Sequence, residues 1–465
     1  MGFRIREIEE ESKFVEELTC DALAQVVSHE QVSEILEREG IETERERKLN
    51  MGVTMYGMIA VGLYENLSMT KALSKLAKGL RYIWPKEEEV DYDVVTSGGF
   101  VYRRYQLGAR PMAELFHQVC KPIAKEETAG AFLFGYRLMA IDGTVEDVAD
   151  TPENVSFFGR HSGGRGESAF PQLQGVYLVE CGTHAVVDAG FWPIHTSERI
   201  GGLRMLRSIG AGMLLMWDRG FHSFDMLKTA REKGAHVLGR LPSHVTPQFI
   251  RQLDDGSYLA YLAPSDKKRR KAGERIKVRI IEYTIKDPNL PGYGETHRLV
   301  TTLLDIEIAP AHELACAYYQ RWEIEITIDE VDTHLRINQR PVRSKKPVGV
   351  IQELYALLIA HFIIRSLMLR AAHSLGIEPD RLSFTHALEV FRDSVNEFQM
   401  TAIDQIPRLF QRLINDIAQG TLPPRRNRSN PRVIKRKMSK FLKKRPEHYH
   451  SPQPTMPFNE AVSLI

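Results

Sequence analysis

The chain has 465 residues, 43% hydrophobic and 26% charged, with a formal net charge of only +2. That length allows two or three domains around a large core, and the near-neutral balance excludes a global field for polyanions. Four cysteines (Cys20, Cys120, Cys181, Cys316) without CxxC spacing argue against a zinc ribbon or a disulfide framework. The first thirty residues are charged and lack an apolar core, so a cytoplasmic protein without a signal peptide is expected.

Residues 1–90 are expected to form a helical domain. Leu18, Ala22 and Val26, then Val32, Ile35 and Leu36, give short helical stripes, and Ser28 with Gln31 has the spacing of a capping box. Met51–Tyr64 is apolar, and Asn66-Leu67-Ser68 punctuates it before Ala72, Leu73, Leu76 and Leu80. Two helices meeting at a turn can read DNA, though most such pairs do not. A Glu-rich linker at Pro85–Asp93 leads into a connecting segment at 91–129, with basic Arg103, Arg104 and Arg110 and a helix near Pro111–Lys121.

From Tyr136 the pattern turns to strands alternating with helices. Arg137–Ile141 reads as a buried strand stopping at Asp142-Gly143-Thr144. Asp142 is then either a turn aspartate or a reactive carboxylate of the kind α/β enzymes place at strand ends. Strands are expected at Gln174–Glu180 and His184–Gly190, and a helix near Ser197–Ile209. Met213–Trp217 is a second apolar run ending in a carboxylate, Asp218, followed by a helix and the strand His236–Gly239. The short alternating runs Tyr258–Leu262, Ile276–Ile285 and Arg298–Leu304 predict a β-rich insertion at 240–308. Its basic cluster Lys267–Lys271 is either a solvated tip or a phosphate contact.

Pro310–Arg340 reads as one long helix, with Leu314, Ala317, Ile324, Ile328, Val331 and Leu335 as its apolar stripe. Tyr318, Arg321 and Glu325 stand at steps of three and four and share a face, as a plain surface Arg–Glu pair also would. Trp322 beside them fits a core position or a base-stacking one. With Asp142 and Asp218, Glu325 makes three carboxylates, the oxygen ligands that Mg²⁺ prefers. Two such ions support in-line phosphoryl displacement. A basic connection (Arg336, Arg340, Arg343, Lys345, Lys346) leads to an apolar helix, Gln352–Arg370. Its most apolar part, Leu354–Leu369, holds His361 and Arg365 and is too short to cross a bilayer. Ser383–Asn415 looks helical, and Arg425–Arg445 carries eleven Lys/Arg and no acid, a DNA contact or a solubilising tail.

At YYQRWEIE the chain resembles the DDE transposases of bacterial insertion sequences, specifically the insertion-sequence-four family. That group is marked by Tyr, two residues, Arg, three residues, Glu, six residues, Lys. Here Tyr318, Arg321 and Glu325 fit it, Asp142 in AIDGT and Asp218 in WDRGF look like the first two acids, and FFGR, RSKKP and QELYALLIAH add support. The likeness spans roughly Gly130–Arg365. The closing Lys falls on Asp332, and Arg336, one turn on, is the candidate to replace it at a DNA phosphate.

The resemblance implies an α/β fold. A ribonuclease-H-like catalytic core at 130–365 would surround the β-rich insertion at 240–308. A helical N-terminal domain at 1–90 would bind end DNA, and a helical C-terminal region at 366–465 would carry the basic tail. It implies metal-dependent cleavage of DNA at the element ends, with the freed 3′-hydroxyl then attacking target DNA in cut-and-paste transposition. Asp142, Asp218 and Glu325 would be catalytic and bind two Mg²⁺ or Mn²⁺ ions. Tyr318, Arg321, Arg336, Arg343 and Lys345 would contact DNA. The implied partners are double-stranded DNA, as terminal inverted repeats and target, and a second copy in a homodimeric DNA complex. No membrane is expected; the implied location is the bacterial cytoplasm, at the nucleoid. Two other classes stay open: an inactive or domesticated DNA-binding descendant, and a metal-dependent nuclease.

Overall fold

The computed structural model describes residues 26–41, 49–77, 96–163, 166–290, 292–336, 340–400, 405–423 and 454–464. The Leu18 and Ala22 stripe, Leu80, the Glu-rich linker and the basic stretch 425–445 lie outside the described residues. Contacts divide the chain into two compact units. One comprises Met1–Phe132, Met139–Ser208 and Glu323–Leu422; the other comprises Leu133–Leu138, Ile209–Trp322 and Pro423–Ile465.

The first unit opens with helices α1 (His29–Arg38), α2 (Met51–Leu63), α3 (Met69–Ala77), α4 (Ser97–Leu107) and α5 (Arg110–Val119). Ser28 caps α1 by accepting from the Gln31 N–H, and the Gln31 side chain accepts the Ser28 N–H in return, so the predicted capping box forms. Strands β1 (Tyr136–Asp147), β2 (Gln172–Glu180) and β3 (Ala185–Pro193) follow, with α6 (Pro152–Phe158) between β1 and β2 and α7 (Glu198–Met205) after β3. Within this unit they pair antiparallel in the order β3-β2-β1. Asp142 therefore lies inside a strand and not at its end. Burial stops at Ile141, but β2 keeps β1 paired as far as Asp147↔Gln172. The sequence marks where the apolar run ends, while hydrogen bonding decides where the strand ends.

In the second unit, β4 (Met213–Trp217) and β5 (His236–Arg240) are parallel and joined through α8 (Phe224–Glu232). Then come β6 (Gln248–Gln252), β7 (Tyr258–Leu262), α9 (Lys267–Lys271), β8 (Ile276–Ile285) and β9 (His297–Thr301). The strand order is β4-β5-β9-β8-β7-β6, antiparallel beyond β5. The runs Tyr258–Leu262 and Ile276–Ile285 form strands over those same residues. Further on, the C-terminal β10 (Val462–Leu464) adds to β8, pairing Leu464 with Tyr283.

The expected single helix over 310–340 is broken. Helix α10 (Ala311–Tyr318) is followed by a 3₁₀ turn, Tyr319–Arg321, then α11 (Trp322–Asp329) and a π-helical turn, Glu330–Leu335. A continuous α-helix would turn Glu330 away from the stripe of Ile324, Val331 and Leu335; the wide turn brings Glu330 inward with Val331 and Leu335. Helices α12 (Pro347–Leu375), α13 (Phe384–Met400) and α14 (Ile406–Ala418) complete the first unit. At 29 residues α12 is longer than the sequence indicates and meets the length and composition of a membrane span, but 83% of its most apolar window is buried inside the protein. It is a core helix. Gly62 of α2 lets it approach closely: a Cβ there would stand 2.6 Å from the Ala356 carbonyl oxygen. Phe158, Leu173, Val342, Val350 and Leu354 pack into one apolar cluster beneath β2.

Candidate active site

The second unit gathers one part of the predicted constellation. Strand β4 is buried from Leu214 to Trp217 and delivers Asp218 at its end, half-exposed, with Oδ1 accepting the Gly220 N–H at 2.8 Å. Tyr318, only 8% exposed, donates its hydroxyl to the Trp217 carbonyl at 3.1 Å. Burial pushes that phenol well above its ordinary range, so it remains a donor. The Arg321 guanidinium lies 6.0 Å from the Tyr318 ring centre and 5.8 Å from that of Trp322. Trp322 is 39% exposed, which removes it from the core. Tyr319 stacks on Phe458 at 4.2 Å, holding the 3₁₀ turn.

The first unit holds the other two acids. Asp142 is half-exposed and its Oδ1 accepts the Gly143 N–H at 2.8 Å. Glu325 is half-exposed on α11 beside buried Ile324. Its acidic neighbours have different surroundings. Glu323 accepts the Gly182 N–H at 2.5 Å and lies 3.7 Å from His184 Nε2. Glu330 is buried against Arg365, with His361 Nε2 at 3.1 Å and His184 Nδ1 at 3.5 Å. Burial alone would raise the Glu330 carboxyl, but Arg365 and the two imidazoles outweigh it and hold it well below the usual carboxylate range. Sequence reasoning passed over this cluster. The available signal was His361 and Arg365, four residues apart on one face of an otherwise apolar helix.

Of the basic residues expected at DNA, two are engaged by protein carboxylates. Arg336 is 7% exposed and donates to Glu146 and to the Arg340 carbonyl. Asp332, at the motif Lys position, lies 3.8 Å from Arg336. Arg343 donates to Glu65 at 2.7 Å and to the Leu67 carbonyl at 2.6 Å. Lys345 is exposed.

Among the described residues no group of three or more His, Cys, Asp or Glu is gathered as a metal site. Asp142 and Glu325 belong to the first unit and Asp218 to the second. Their chemistry fits a hard divalent cation: three carboxylates, all open to solvent, the two aspartates each oriented by a neighbouring backbone N–H.

Residues 17–117 match the family model for the insertion element 4 transposase N-terminal region, and residues 133–363 match that for the transposase DDE domain. The chain belongs to the insertion element 4 family of DDE transposases. It is 26% identical over 426 residues to transposase InsG for insertion sequence element IS4 of Escherichia coli (strain K12), covering 90% of this chain and 93% of that one. It is 27% identical over 156 residues to the putative transposase InsZ of the same strain, covering 33% of this chain and 52% of that protein. A piggyBac transposase synaptic complex with hairpin DNA is similar over 87% of this chain and 85% of that chain, at 14% identity and a TM-score of 0.43, too loose a likeness to inform the fold. This family member is a DDE transposase, an enzyme of DNA transposition, and the family generally uses divalent metal ions.

Proposed function

We propose that this transposase cuts DNA at the terminal inverted repeats of its own element and joins the freed 3′ ends to target DNA. Asp142, Asp218 and Glu325 serve as ligands for two Mg²⁺ or Mn²⁺ ions in a ribonuclease-H-like core spanning 130–365, with 240–308 as its β-rich insertion. The observation that carries this is the state of the three motif acids within the DDE match: each on a different element, each open to solvent. When bound, the cations supply charge that stabilises the attacking and leaving oxygens of an in-line displacement.

The chain's own residues supply position. Tyr318 anchors the end of β4 through Trp217 and so fixes where Asp218 begins. A phosphate contact by the same hydroxyl requires that bond to be given up. The exposed ring of Trp322 offers a stacking face for an unpaired base, with the Arg321 guanidinium, itself only 8% exposed, 5.8 Å from that ring. Lys345 is the phosphate contact best presented in the basic connection. End recognition falls to residues 1–90, and two copies pair two element ends at the nucleoid.

The test is cleavage of a plasmid carrying the DNA that flanks the gene, with and without Mg²⁺. Asp142→Asn, Asp218→Asn and Glu325→Gln are each expected to lower cleavage about a thousandfold or more, several kcal/mol of lost charge stabilisation, while leaving DNA affinity near wild type. Cleavage by Asp142→Asn at the wild-type rate would retire the assignment.

A further inference from the structure

The position where the family carries a Lys contains Asp332, and the neighbouring cation, Arg336, points inward. Its guanidinium reaches Glu146, itself 4% exposed, and Asp332 stands 3.8 Å away on the same helical turn. Glu146 belongs to β1, the strand that carries Asp142. Residues 142, 144 and 146 share one face of that strand, and the Thr144 hydroxyl donates to Glu146 at 3.4 Å. Glu146 is thus two pleats, about 13 Å, beyond Asp142 along the strand. Asp332 is seven residues beyond Glu325 on the same helical stretch, about 10 Å further along it. One buried guanidinium therefore ties the strand that carries the first acid to the helix that carries the third. On its other side the same wide turn is fixed by Glu330 on Arg365, His361 and His184. A solvent contact would gain nothing from burying an arginine against a buried carboxylate, because desolvating both charges is costly unless geometry repays it.

We propose that Glu146, Arg336 and Asp332 form an internal brace whose Arg336 is a positioning residue for Asp142 and Glu325 and not a DNA contact. This rests on the assignment of those acids as metal ligands. Asp332 lies 3.8 Å from the Arg336 guanidinium, beyond hydrogen-bond reach, where a lysine would add a competing cation for Glu146.

The test is Mn²⁺ binding to the full-length chain without DNA, followed by electron paramagnetic resonance of the free ion. Beside it, binding to a duplex of arbitrary sequence is measured across a salt series. Arg336→Ala is expected to weaken Mn²⁺ binding about tenfold or more, the usual cost of removing a group that orients a ligand, and Arg336→Lys to recover part of it. DNA affinity and its salt dependence stay at wild-type values. Glu146→Gln keeps the shape and moves Mn²⁺ affinity in the same direction, which covers the case of a misfolded Arg336→Ala. Wild-type Mn²⁺ affinity in these variants, or a salt slope lowered by about 0.9 in Arg336→Ala, overturns the brace. Asp142→Asn separates the two levels. If it loses Mn²⁺ while the brace variants do not, only the brace is wrong; if it too binds Mn²⁺ normally, the metal assignment beneath fails.

Discussion

The turn Glu330–Arg336 and the helix Lys267–Lys271 are both charge-rich on paper, yet the protein treats them in opposite ways. In the first, Glu330 and Arg336 are buried, each held by partners of opposite charge from other elements. In the second, Lys267, Lys268, Arg270 and Lys271 face solvent, and among the described residues Arg269 alone is engaged, by Asp225 at 2.8 Å and Glu274 at 2.6 Å. Buried charges cost desolvation and must be matched, so they fix geometry. Exposed charges are screened and nearly neutral for stability, which leaves them available for a polyanion.

Removing a partner from the buried set is therefore the most damaging change. Arg365→Ala leaves Glu330 buried with two imidazoles alone and is expected to cost about 3–5 kcal/mol. Chemical denaturation of the full chain measures it, and a loss below about 1 kcal/mol would mean that the cluster is solvated. The sign of its pH dependence is also fixed. Because the Glu330 carboxyl is depressed in the folded state, its contribution is full above the ordinary carboxylate range and is lost as pH falls through the depressed value. Arg365→Ala should thus flatten the acid limb of the stability profile.

Asp332 gives a smaller effect of opposite sign. Burial and the adjacent Glu146 carboxylate raise its carboxyl well above the usual range, with Arg336 only partly offsetting them. An acid raised in the folded state favours folding at low pH and loses that contribution as pH climbs above the ordinary carboxylate range. Asp332→Asn keeps the neutral shape, so its stability should match wild type in acid and exceed it by on the order of 1 kcal/mol near neutrality. Melting temperatures of the two chains across a pH series decide this; a constant gap would mean that folding does not raise the Asp332 carboxyl.

How much of this was visible in the sequence follows the same division. Short apolar runs bounded by turn residues located β7 and β8, although both are buried over consecutive residues and not on one face alone. The Ser28–Gln31 box was legible because local hydrogen bonding is short-range. The breaks at Tyr319–Arg321 and Glu330–Leu335 were not. They answer to Phe458 and to Arg365, residues remote in sequence whose approach no local pattern records. Arg336 looked like a surface cation for the same reason: its partner Glu146 lies 190 residues away. The true length of β1 was hidden because pairing to β2, and not burial, sets its end.

The exposed helix offers the mildest perturbation. Replacing Lys267, Lys268, Arg270 and Lys271 together by Gln should change stability by no more than about 0.5 kcal/mol, since none is buried. Arg269 is left in place because its bonds to Asp225 and Glu274 join α9 to α8 and to the start of β8. If the four side chains meet DNA, the salt slope for a duplex of arbitrary sequence drops by about 0.9 for each phosphate that is no longer neutralised. If they are only a solvated tip, slope and affinity both stay at wild type. The same duplex measured with Arg336→Ala makes the contrast quantitative, because the outward cations should move the slope and the inward one should not.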